Sequence, residues 1–151
     1  MNTLLMLVGL PRAGKSSWAR EQGYPIVNPD SIRLALHGQS FYAPAEPMVW
    51  ALAKAMVRSL FLAGHETVIL DATNVNKRRR NEWQSKEWLL HLQIFTTSPR
   101  ECIRRAREDG REDLVPVIER MAKEWDLPQH WEEEEMQIEI CRLLTEDNSE
   151  H

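Results

Sequence analysis

Residues Gly9-Leu10-Pro11-Arg12-Ala13-Gly14-Lys15-Ser16 satisfy the pattern G-x-x-x-x-G-K-[ST], directly after the apolar run Thr3–Val8. A strand that ends in such a loop and leads into a helix is a phosphate-binding device. The glycines let successive backbone N–H groups converge on one point, and the helix N-terminus adds its positive dipole. Lys15 offers a charge to the β- and γ-phosphates and Ser16 a hydroxyl to Mg²⁺, while Gly9, Arg12, Ala13, Gly14 and Ser17 complete the cradle. The expected ligands are ATP or GTP, with Mg²⁺.

The pattern along the chain supplies a fold for this loop. Short apolar or β-branched runs at Thr3–Val8, Tyr24–Val27, Thr67–Leu70 and His91–Thr96 read as strands. Between and beyond them, Lys15–Gln22, Ser31–Leu36, Glu46–Ala63, Lys77–Leu90, Arg100–Glu108, Val115–Trp125 and Trp131–Leu144 read as helices. Strands alternating with helices predict an α/β fold, a parallel sheet of about four strands with helices on both faces. Asp109–Leu114 reads as a short mobile loop. At 151 residues the chain is expected to be one domain, 1–151.

Charge divides the chain unevenly. Residues 130–151 hold eight acids against Arg142 alone, so the remainder carries +3 of a total of −4. That mild basicity permits an anionic substrate but is too small for a domain held to nucleic acid by charge alone. The two cysteines, Cys102 and Cys141, have neither metal-ligand spacing nor the density of a disulfide scaffold. A reducing cytoplasm is the expected compartment. The apolar stretch Met48–Ala63 is too short to span a bilayer and is interrupted by Lys54 and Arg58, so no membrane association is expected.

What the chain does with a nucleotide follows from its remaining motifs. No Asn-Lys-x-Asp segment is present to read guanine in the manner of switch GTPases. After the third strand, Val68-Ile69-Leu70-Asp71 continues as Ala72-Thr73-Asn74 and lacks the second carboxylate that activates water in motor ATPases. Transfer to an acceptor other than water is the better reading. A carboxylate beyond a parallel strand's C-terminal end faces the ligand crevice. Asp30, in Asn28-Pro29-Asp30-Ser31-Ile32-Arg33, is therefore a candidate general base for an acceptor hydroxyl. Arg33 lies on the same helical face, where it can hold an acceptor anion. Asp71, at the end of its strand, is expected to approach Mg²⁺ through water or to orient Arg33, and Asn74 or Asn76 suits a helix cap. Among Arg100, Arg104, Arg105, Arg107 and Arg111, one or two are expected to swing over the γ-phosphate, the others being solvated charges.

Together these pieces resemble the kinase domain of the 5′-hydroxyl polynucleotide kinases, the end-healing enzymes of phage and bacteria, over about residues 3–128. The matching segments are Gly9–Ser17 with Trp18-Ala19-Arg20, then Asn28–Arg33, then Asp71-Ala72-Thr73-Asn74 with Arg79 and Arg80, and the lid-like Arg105–Arg111 ahead of Val115-Pro116. The resemblance implies a P-loop, nucleotide-kinase-like fold. It implies Lys15 and Ser16 on ATP and Mg²⁺, Asp30 as general base, and Arg33 on the phosphate beside the terminal nucleotide; Asp71 and Asn74, from their place after the third strand, are expected on the acceptor side as well. It places the lid arginines at Arg105 and Arg111, with Arg107 as a rival because the stretch up to Val115 differs in length from the phage form. The implied acceptor is a 5′-hydroxyl end of DNA or RNA. A small-molecule kinase acting on a nucleoside, sugar or antibiotic, and a nucleotide-binding regulator, remain the alternatives. An acidic helix at about 130–145 lies outside the match and is expected on the sheet's far side or at a subunit contact.

Overall fold

In the computed structural model, which describes residues 1–38, 41–125 and the backbone of 137–141, the apolar runs are buried on both sides, as a helix-covered parallel sheet requires. The strands β1 (Thr3–Val8), β2 (Ile26–Val27), β3 (Thr67–Leu70), β4 (Leu89–Phe95) and β5 (Gln137–Cys141) form one five-stranded sheet in the order β2-β3-β1-β4-β5. All its pairings are parallel. The helices are α1 (Lys15–Gln22), α2 (Pro29–His37), α3 (Glu46–Leu62), α4 (Lys77–Asn81), α5 (Pro99–Glu108) and α6 (Val115–Glu124).

The alternation of side chains along β1 builds two cores. Leu4, Met6 and Val8 join Val49, Ala53 and Val57 of α3 and the indoles of Trp83 and Trp88 on one face. Leu5 and Leu7 join Ala19 of α1, Cys102 and Ala106 of α5 and Ile118 of α6 on the other. Burial of such a side chain contributes about 2 kcal/mol, so the central strand is firmly held.

Topology then places the ligand crevice. The connection after β1 leads through α1 towards β2, whereas the chain after β3 crosses β1 to reach β4. Neighbouring strands whose connections depart in opposite directions leave an opening at their C-terminal ends. Here the loop after Val8 and the segment after Leu70 flank it, and the Gly9 N–H donates to the Thr73 carbonyl at 2.9 Å.

Several sequence expectations are corrected. The helix expected over Lys77–Leu90 ends at Asn81, because Leu89 and Leu90 are taken into β4 opposite Thr3 and Leu4. Between them the chain turns, burying Trp83 and Trp88, with the Trp88 Nε1–H donating to the Trp83 carbonyl at 2.9 Å. The second strand is shorter than Tyr24–Val27, and α2 extends beyond Ser31–Leu36 at both ends because Asn28 caps it and Pro29 suits its first turn. The expected final helix is overturned at residues 137–141, which form β5 beside β4 in the register His91↔Gln137 to Phe95↔Cys141. The rest of the expected helix Trp131–Leu144 lies outside the described residues. The expected loop at Asp109–Leu114 contains a 3₁₀ turn at Glu112–Leu114.

Candidate functional site

Local backbone geometry explains the loop's composition. Gly14, the residue before α1, adopts φ 96°, a left-handed conformation that costs a side-chain-bearing residue dearly. A Cβ on Gly9 would come within 3.0 Å of the Phe95 Cβ, so this position must also stay small. Arg12 is itself left-handed at φ 69°. It is tied down on both sides: its guanidinium meets Asp109 at 2.6 Å, and its carbonyl accepts a hydrogen bond from Arg105 at 3.1 Å. Below the loop the Thr97 hydroxyl donates to the Ala13 carbonyl at 3.0 Å.

Lys15 is buried, and its ammonium donates to the Leu10 carbonyl at 2.6 Å. Burial pushes its pKa down to about 8, against the opposing pull of Asp71, Cys102 and Asp30. A cation held here, with no carboxylate at hydrogen-bond distance among the described residues, is suited to a triphosphate. The neighbouring Ser16 hydroxyl donates to Asp71 at 2.7 Å, and Asn28 reaches the same carboxylate oxygen at 3.4 Å. A hydroxyl and a carboxylate are the hard oxygen donors Mg²⁺ prefers, and one or two protein ligands suffice when phosphates and water complete the octahedron. The residues present thus fit Mg²⁺, which Ser16 and Asp71 would hold. Among the described residues no group of three or more His, Cys, Asp or Glu side chains offers an alternative metal cage.

Asp30 lies in the first turn of α2, its own N–H accepted by the Asn28 side chain at 2.8 Å. Its side chain is 69% exposed and accepts from Arg33 at 2.6 Å. Arg33 is bound more firmly elsewhere, in a two-pronged pair with Glu46 of α3 at 2.7 and 2.8 Å. Burial works against the Arg33 charge, but hydrogen bonds with Glu46 and Asp30 outweigh it and raise its pKa above the ordinary arginine value. Of the two roles expected of Asp71, the orienting of Arg33 falls to Glu46, while the Asp71 carboxylate faces Ser16, on the side of the other expected role, the approach to Mg²⁺. No sequence spacing pointed to Glu46, because the pair joins residues 13 apart on different helices.

The remaining expected residues separate. Asn74, at φ 48°, is buried and spends its amide hydrogens on the carbonyls of Leu7 at 2.8 Å and Ala72 at 3.4 Å, which holds the turn after β3. Asn76 caps α4. Arg80 is fully buried and donates to the Asn74 and Val75 carbonyls. Of the lid candidates, Arg105 donates to the phosphate loop's backbone, steadied by Glu101 at 3.0 Å. Hydrogen bonds from Arg104, opposed by burial and assisted by Arg105, hold the Glu101 carboxyl down at about 2. Arg111 pairs with Asp113 and Arg107 with Glu112, both exposed. Ser17 and Ser16 are exposed at the start of α1.

A model of the family described as the AAA domain matches residues 4–125. The chain belongs to the AAA domain family. This AAA domain is a P-loop, nucleotide-binding unit of kinase-like α/β fold. It is similar to a chain in the "Structure of Pnkp1/Rnl/Hen1 complex", at 30% identity and a TM-score of 0.63, over 69% of this chain and 38% of that one. It is also similar to a chain in the "Structure of the Pnkp1/Rnl/Hen1 RNA repair complex", at 25% identity and a TM-score of 0.65, over 83% and 46%. The AAA domain thus spans less than half the length of either. A gluconokinase from Sinorhizobium meliloti 1021 shares the fold at 17% identity and a TM-score of 0.63, over 94% of this chain and 83% of that one. Among the described residues of the AAA domain, no helix is long and apolar enough to cross a membrane.

Proposed function

We propose that this AAA domain is a phosphotransferase that moves the γ-phosphate of ATP to the 5′-hydroxyl end of a nucleic acid. The observation that carries the reading is the Asp30–Arg33 pair: an open carboxylate at 2.6 Å from a guanidinium, on the helix that follows β2 at the ligand end of the sheet. Asp30 takes the proton of the attacking hydroxyl. In turning to that hydroxyl it frees one edge of Arg33 for the phosphate on the acceptor's 3′ side, while Glu46 keeps the guanidinium in place. Lys15 and Arg105 face the donor: the first neutralises charge on the transferring group, and the second holds the loop that cradles it. Mg²⁺, when bound at Ser16 and Asp71, supplies further charge compensation to the triphosphate.

Small-molecule phosphorylation is the second reading, favoured by a cleft of about 550 Å³ that opens beside Ser16 and Asp71 and is lined by Ile26, Ile32, Leu36, Leu52 and Met56. The two readings separate on acceptor anionicity. Under the nucleic-acid reading a nucleoside 3′-monophosphate is used at least tenfold better than the bare nucleoside. Arg33→Ala removes that advantage, since the clamp serves only the phosphorylated acceptor. Steady-state rates with both acceptors, for both proteins, check it. Equal use of the two acceptors by the unsubstituted protein defeats the nucleic-acid reading.

A further inference from the structure

Along α3, Trp50, Lys54 and Arg58 recur every fourth residue and so share one stripe, with successive positions about 6 Å apart along the helix axis. Each takes part in a cation–indole contact. Arg33 lies 5.8 Å and Arg79 4.0 Å from the Trp50 ring, Lys54 lies 5.4 Å from Trp83, and Arg58 lies 6.0 Å from Trp88. Trp83 and Trp88 are 1% and 2% exposed, so they cannot stack a base. They act as fixed floors on which the cations rest. The row starts at the Asp30–Arg33 pair and, because a crossover helix runs antiparallel to its strands, descends away from the ligand end of the sheet.

We infer that this row is a track for the single-stranded backbone of the acceptor, 3′ to the end held at Asp30. The inference rests on the nucleic-acid reading above and assigns it a second contact region. The basic side chains have carboxylate or carbonyl partners: Arg79 meets Glu82 at 2.8 Å, Arg58 meets Glu87 at 3.2 Å, and Lys54 donates to the Glu82 carbonyl at 2.7 Å. Glu82 and Glu87 are 45% and 57% exposed, and exposed ion pairs of this kind contribute little, so a phosphate can take their place while the indoles keep the cations positioned. The stripe from Trp50 to Arg58 spans about 12 Å of helix, room for roughly two phosphates beyond the one at Arg33. Backbone contacts of this kind are indifferent to base sequence.

The test is acceptor length. With 5′-hydroxyl acceptors running from a nucleoside 3′-monophosphate to a tetranucleotide, kcat/KM is expected to rise about tenfold at low salt through a falling KM. Arg58→Glu and Lys54→Gln should each remove severalfold of that gain. The dependence of log KM on log salt for the tetranucleotide should flatten by about 0.7 for each phosphate deprived of its cation. Arg58, with an exposed ion pair, is replaceable without threat to the fold, so its variant decides the matter should Lys54→Gln prove unstable. Oligonucleotides phosphorylated with a KM indifferent to length, or a length gain intact in Arg58→Glu, overturn the track and leave the proposed activity standing. A protein that phosphorylates small molecules but no nucleic-acid end overturns both.

Discussion

Lys15→Met is expected to abolish phosphotransfer and, at the same time, to make the nucleotide-free protein more stable near neutral pH. The first effect follows from removing the charge aimed at the transferring phosphate. The second follows from burial, which lowers the Lys15 pKa from 10.5 to about 8, so the folded state disfavours the charged form. A group with a folded pKa below its unfolded one costs stability fully below the folded value and ceases to do so as pH rises to the unfolded value. The cost is of order 3 kcal/mol and methionine, similar in size and uncharged, relieves much of it. Urea denaturation of the two proteins should therefore show Lys15→Met ahead by one to a few kcal/mol at about pH 7, with the gap closing between about pH 8 and 10.5. Near-normal turnover by the variant, or a gap independent of pH, would contradict the assignment. The same burial predicts that a triphosphate, by restoring the lysine's charge, takes up a proton on binding above about pH 8, visible as a buffer-dependent binding enthalpy.

The second large effect is expected at Asp30. Asp30→Ala should lower kcat by two or more orders of magnitude while leaving ATP affinity nearly unchanged, the pattern of a group that acts on the acceptor proton in the transition state. The surroundings favour a clean result. The Asp30 side chain is exposed, and Arg33 keeps its two-pronged bond to Glu46 when Asp30 is gone, so neither the helix nor the clamp depends on it. Loss of ATP binding in Asp30→Ala would instead move Asp30 to the donor side.

How much of this was legible in the sequence depends on how local the interaction is. The phosphate loop is a contiguous motif between a strand and a helix, and Asp30 and Arg33 are neighbours on one helix, so spacing alone brought them to the same face. The Arg33–Glu46 pair and the Arg105 bond to the Arg12 carbonyl join distant segments, and only the packing of α2 on α3 and of α5 beside the loop creates them. Likewise Asp71 read correctly as a strand-end carboxylate, but its partner was decided by which neighbour the crevice presents, Ser16 rather than Arg33. The misread elements share one cause. Lys77–Arg80 suits a helix, yet Trp83 and Trp88 sit five apart and bury together, so the chain turns where a helix was expected. At Gln137–Cys141 the alternation of Ile138 and Ile140 with Gln137, Glu139 and Cys141 has the period of a strand, which five residues are too few to distinguish from a helix segment by sequence alone. Pairing with β4, a tertiary contact, settled the backbone there.

The most direct test of the proposed chemistry is to follow the labelled γ-phosphate of ATP across a set of acceptors: 5′-hydroxyl oligonucleotides of DNA and RNA, nucleosides, nucleoside 3′-monophosphates and sugars. Label is expected on the 5′-hydroxyl of oligonucleotides and of nucleoside 3′-monophosphates, with bare nucleosides poor and sugars inert, and ATP is expected to be consumed only when an acceptor is present. Efficient labelling of a sugar with none on any oligonucleotide, or ATP consumption indifferent to acceptor, would contradict it.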